Sequence, residues 1–141
     1  MTPRQVALVQ ETWNLAAQLG ERAAELLYER LFTLDPTLRR LFEGDMKAQG
    51  RKLLSMMGFA VGSLSRFDSI VPAVQALGRR HAGYGVEKRH YAVVEEALMW
   101  TLGQGLGAKF TPEVEKAWRT AYGALASTMQ HAAQEQTSHA S

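Results

Sequence analysis

Three side chains in this 141-residue chain are chemically richer than its apolar framework requires: His81, Gln49 and Tyr28. His81 follows Val74 and Leu77 on one apolar helical face, at the C-terminal end of that helix. A neutral imidazole there can bind a metal through one nitrogen. Its other N–H can reach the Leu77 carbonyl one turn back, which fixes the tautomer. The same position also suits a buried histidine satisfied by one hydrogen bond, or a cation at a helix C-terminus. Gln49 extends the stripe Leu53, Met56 and Ala60 by one turn with an amide. A buried amide needs a partner, whereas an amide at a helix start near solvent does not. Tyr28 shares a face with Ala24 and Leu31, so its ring points inward and its hydroxyl needs a partner. An ordinary core tyrosine fits that pattern equally well.

Other chemistries find no support. His90, His131 and His139 do not make a zinc-helix spacing, and no carboxylate–histidine cluster accompanies them. There is no G-x-S-x-G and no phosphate-binding glycine loop; GQGLG (Gly103–Gly107) follows no strand and reads as a helix end. The chain has no cysteine, which excludes disulfides, iron–sulfur clusters and thioether-linked haem. Net charge is only +2, and the pairs Arg39-Arg40, Arg51-Lys52 and Arg79-Arg80 form no basic stripe with interleaved aromatics, so no nucleic-acid partner is expected. No apolar stretch approaches the roughly 20 residues of a membrane span. The first residues, MTPRQVALVQETW, do not read as a signal peptide, so a cytoplasmic protein is expected.

The elements that must position these residues all read as helices. Thr2-Pro3, Asp35-Pro36 and Thr111-Pro112 each place a capping oxygen before a proline suited to a first turn, and Gln5 completes a capping box with Thr2. Helices are predicted from Pro3 to Leu19, to Leu34 after the break at Gly20, and from Asp35-Pro36 to about Phe42. A loop, EGDMKA, precedes a helix over Ala48–Ser65 with Leu53, Met56, Met57, Ala60 and Leu64 buried. The remainder runs from Ser69 to His81, from Lys88 to Leu106 and from Pro112 to about Gln130. Strand patterns are missing. The reading is one all-α domain over 1–131, with 132–141 a frayed polar tail.

Taken in order and spacing, the segments DPTLRRLF, AQGRKL, LGRRHAGYGV, HYAVVEEAL and TPEVEKAWRTAYG resemble the globin family. The single-domain bacterial globins are most similar; flavohaemoglobin globin domains and neuroglobin are more distant likenesses. The resemblance implies a globin fold of about seven to eight helices around a haem pocket that holds haem b non-covalently. It makes His81 the proximal iron ligand and Phe42 the ring that wedges the haem. Tyr28, Gln49 and Leu53 become the distal residues around the ligand. Leu77, Val86, Tyr91 and Val94 line the pocket, and Lys52 and Arg80 pair with propionates or are plain surface charges. One departure stands out. Flavohaemoglobin-like proteins join the proximal histidine, a tyrosine and a last-helix glutamate in a hydrogen-bonded trio. Tyr91 is present, but Ala133 stands at the glutamate position and Glu135 points elsewhere.

The resemblance implies reversible, high-affinity binding of oxygen, for storage, transport or scavenging; nitric oxide and carbon monoxide are further diatomic ligands. Two donors, Tyr28 O–H and Gln49 N–H, would each contribute about 1.5–3 kcal/mol to a charge-bearing ligand, where roughly 1.4 kcal/mol is tenfold. The enzymatic alternative is nitric oxide dioxygenation. These 141 residues hold no flavin or nicotinamide domain, so that reading expects a separate reductase. A haem-free interaction module of the same fold is a third reading; it needs a purely structural His81, and the coincidence of Phe42, Gln49 and Tyr28 argues against it.

Overall fold

The computed structural model describes residues 1–140, with side chains as far as Glu135. Its regular structure is helical throughout, with no strand among the described residues. Six α-helices follow in order: α1 (Pro3–Ala16), α2 (Glu21–Leu34), α3 (Met46–Gly62), α4 (Phe67–Gly83), α5 (Lys88–Leu106) and α6 (Pro112–Ala140). Short 3₁₀ segments join them at Ala17–Leu19, Pro36–Leu41, Leu64–Arg66 and Gly107–Lys109. The seven expected helices are all there, with Pro36–Leu41 in the tighter 3₁₀ form.

The three capping oxygens work as expected. Thr2 and Gln5 exchange bonds of 3.1 and 3.0 Å, Asp35 accepts from the Thr37 N–H at 3.1 Å, and Thr111 accepts from the Val114 N–H at 3.2 Å. A fourth cap moves a boundary. Asp45 accepts from the Lys47 N–H at 2.9 Å, so α3 starts inside the stretch expected to be a loop. The expected α3 stripe also needs correction. Met56 is 42 % exposed, and Phe59 56 %. Leu53, Met57 and Ala60 keep the inner line, and Met56 falls on its solvent edge one step round the helix. The last helix runs past Gln130. Ala132 is buried within it, while the end of the expected tail, with His139, lies outside the residues whose side chains are described.

The core lies between α1, α2, α5 and α6, around Val9, Leu27, Leu31, Leu98, Leu102, Ala117 and Trp118. Full burial of each large aliphatic side chain there contributes about 1.5–3 kcal/mol. The Trp118 indole N–H donates to the Thr12 hydroxyl at 2.8 Å, and that hydroxyl donates on to the Leu8 carbonyl, tying α6 to α1. Two helices lie outside this frame and, with parts of α2 and α5, carry the candidate site. α3 crosses α2 at Gly50, where a Cβ would sit 2.9 Å from the Ala24 Cβ. α4 packs chiefly on α6.

Candidate functional site

On one side of the site, α2, the Pro36–Leu41 segment and the first turn of α3 come together. Tyr28, on the inner face of α2, stacks on Phe32 one turn later at 6.1 Å between ring centroids. Phe42, at the end of the 3₁₀ segment, meets both rings edge-on, at 5.3 Å from Tyr28 and 5.5 Å from Phe32. Such edge contacts suit the ring quadrupoles. Gly50 also faces the Tyr28 ring: a Cβ there would be in ordinary contact with Tyr28 Cε2, at 3.9 Å. Gln49, beside it, is half-buried, and its amide donates to the Glu43 carbonyl at a long 3.4 Å. Leu53, one turn on, packs against the core from its edge. The Tyr28 hydroxyl makes no hydrogen bond among the described residues, and burial pushes its pKa up, so it stays a protonated donor.

On the other side stands the C-terminal end of α4. His81 is half-buried, and its Nδ1 is 2.8 Å from the Leu77 carbonyl. A carbonyl only accepts, so Nδ1 carries the proton and Nε2 keeps its lone pair. Nε2 has no hydrogen-bond partner among the described residues. Burial, with a smaller contribution from the nearby Arg80 charge, lowers the His81 pKa against the opposing bond to Leu77, so the ring is neutral at physiological pH. The chain then turns sharply. The Val86 N–H donates to the His81 carbonyl at 3.0 Å and the Gly85 N–H to the Ala82 carbonyl at 3.1 Å. This is a Schellman closure with Gly85, at φ 92°, in the position that needs a left-handed backbone. It sets Val86 beside His81, on a turn that faces Leu41, the residue before Phe42: a Cβ placed on Gly85 would lie 3.6 Å from Leu41 Cδ2.

The two sides face one another where Gly85 lies opposite Leu41, and no hydrogen bond joins His81 to Tyr28 or Gln49 among the described residues. Leu77, Val86, Tyr91 and Val94 are half-buried. The Tyr91 carbonyl accepts from the Tyr122 hydroxyl at 2.6 Å, an anchor between α5 and α6 that the sequence analysis missed. Lys52 and Arg80 are exposed and make no ion pair among the described residues. Glu135 is exposed, and Ala133 is half-buried. Phe32 was also missed; its signal was its place one turn after Tyr28. A cavity of about 230 Å³ opens between α2 and the start of α3, floored by Ala24, Tyr28, Phe32 and Gly50 with Glu21, Glu25, Glu29 and Lys47 around it. It reaches Tyr28 but is not lined by His81 or Gln49. The chemistry of these side chains suits a haem: a neutral imidazole with Nε2 unpartnered among the described residues, several half-buried apolar side chains and a protonated hydroxyl.

The globin family model matches residues 25–129, about three quarters of the chain, from mid-α2 to mid-α6. The chain belongs to the globin family. Among curated relatives, the flavohemoprotein of Bacillus subtilis is 27 % identical over 124 residues, which cover 86 % of this chain and 31 % of that one. The chain spans about a third of the length of the curated relatives it matches. Among solved structures, an engineered carbene transferase from Rhodothermus marinus, named for nitric oxide dioxygenation, superposes with a TM-score of 0.87 at 24 % identity, covering 98 % of this globin and 96 % of the other chain. A bacterial globin from Campylobacter jejuni gives 0.83 at 20 % identity, covering 97 % and 99 %. These likenesses concern the fold. No helix among the described residues is long and apolar enough to cross a membrane.

Proposed function

We propose that this globin holds haem b non-covalently through His81 Nε2 and binds oxygen reversibly with high affinity. The observation that carries the reading is the histidine itself: Nδ1 is committed to the Leu77 carbonyl, the ring is neutral and Nε2 is unclaimed. A haem bound there supplies an iron that takes up diatomic ligands. Phe42 would pack against it, Leu53, Leu77, Val86, Tyr91 and Val94 would exclude water from it, and the exposed Lys52 and Arg80 would be free to pair with its propionates. Tyr28 would offer its O–H to the bound gas, and Gln49, released from the Glu43 carbonyl, would offer a second hydrogen bond. Hydrogen bonds to a charge-bearing group are worth about 1.5–3 kcal/mol each, so the pair slows ligand release and favours retention over delivery.

Nitric oxide dioxygenation with a separate reductase is the second reading, favoured by the flavohemoprotein relatives. Absorption spectra of the purified protein test the first: a Soret band that shifts reversibly with oxygenation is expected, and a protein that takes up no haem overturns it. Nitrate formed from nitric oxide with a supplied reductase separates the two.

A further inference from the structure

We infer that Gly78 is a positioning residue: by letting the backbone of α4 rest directly on that of α6, it sets where His81 stands. The inference rests on the reading of His81 as the haem ligand. Gly78 is buried and lies mid-helix, where glycine is the poorest helix former after proline, so something must compensate for it there. A Cβ at this position would lie 2.3 Å from the Met129 carbonyl oxygen, 2.6 Å from the Met129 Cα and 2.7 Å from its carbonyl carbon. These are backbone atoms and cannot rotate aside. Any side chain at position 78 must push the two helices apart by roughly 1 Å to restore ordinary contact distances.

His81 is three residues further along the same helix. At about 100° per residue it projects only about 60° round the axis from the face that touches α6. Its imidazole is fixed to α4 itself, through Nδ1 to Leu77, and its carbonyl is fixed to the following turn through Val86. Among the described residues, nothing outside α4 and that turn holds the ring by a hydrogen bond. The ring therefore moves as α4 moves, and α4 takes its height chiefly from α6. The other glycine late in α4, Gly83, has open space around it and makes no such contact.

Gly78→Ala tests this in the haem-loaded protein, with Gly83→Ala as the control in the same helix. Gly78→Ala is expected to speed haem transfer to excess apomyoglobin by about tenfold or more. It should also shift the iron–histidine stretching vibration of the ferrous protein, which a change in general stability does not move. Gly83→Ala should leave both unchanged and raise the melting temperature. A Gly78→Ala protein with wild-type haem loss and an unshifted vibration overturns the inference while leaving His81 as ligand. Wild-type protein that takes up no haem overturns both. If Gly78→Ala yields no folded protein, the wild-type carbon monoxide form decides: a dipolar contact between the Gly78 and Met129 α-protons is expected, and its absence overturns the inference.

Discussion

The two sides of the candidate pocket are built by different means. His81 is placed by backbone: a glycine crossing between α4 and α6, an i→i−4 bond to Leu77 and a Schellman turn at Gly85. Tyr28 and Gln49 are placed by side chains: three rings leaning on one another, and a single long amide bond to an exposed loop carbonyl. A backbone-built feature cannot be changed without moving a helix. A side-chain-built feature can be altered one group at a time while the fold stands. On the proposed reading, the iron-ligating side would thus be the rigid one, and the side facing the bound gas would be where affinity can be tuned.

The sharpest way to break this contrast is to remove the imidazole. His81→Ala leaves the α4–α6 crossing untouched, so helix content should stay at the wild-type level. Haem uptake should be lost or fall by orders of magnitude, because the variant lacks the imidazole proposed as the iron ligand. Titration of the apoprotein with hemin, followed at the Soret band, reads this directly. Wild-type uptake with an unchanged spectrum would remove His81 from its role.

The next largest effect lies across the pocket. Tyr28→Phe keeps the ring and its contacts with Phe32 and Phe42, so folding should be unaffected. Oxygen dissociation should speed up by more than about tenfold, since the lost charge-assisted bond is worth at least about 1.5 kcal/mol. Carbon monoxide carries little charge when bound and should leave at close to the wild-type rate. Burial raises the Tyr28 pKa above its ordinary value near 10, so the hydroxyl keeps its proton through neutral pH. The oxygen dissociation rate of the unaltered protein should accordingly be flat from about pH 6 to about pH 9. Stopped-flow release of both gases checks all three statements.

The contrast also explains what could be read from the sequence. The capped helix starts and the apolar faces carrying His81 and Tyr28 are local, periodic signals, and the resemblance to globins adds their order. The contacts that set distances between helices are not local. Gly78 reads as one more helical glycine until Met129, fifty-one residues on, is seen against it. Tyr122 reads as a core tyrosine until its hydroxyl is found on the Tyr91 carbonyl. Met56 was misread for a related reason: a one-helix pattern fixes a face to within a residue or so, and the neighbouring helices decide which edge of it meets water.

The smallest effect, and the finest test of the contrast, belongs to Gln49. Its amide is held by one exposed 3.4 Å bond to Glu43, near the limit of a useful hydrogen bond, so moving it towards a ligand loses little. A group so weakly held is also weakly preorganised, and part of what it gains is spent on ordering its side chain. Gln49→Leu should therefore speed oxygen dissociation by about two- to fivefold, less than Tyr28→Phe and in the same direction. The double variant should fall short of the product of the two, because both donors serve one small ligand and each partly covers for the other. An exact product would mean that the two groups act on separate sites. A Gln49→Leu effect larger than that of Tyr28→Phe would mean that the loop-held amide, not the ring-held hydroxyl, is the preorganised donor, and it would invert the assignment of firm and adjustable groups on this side of the pocket.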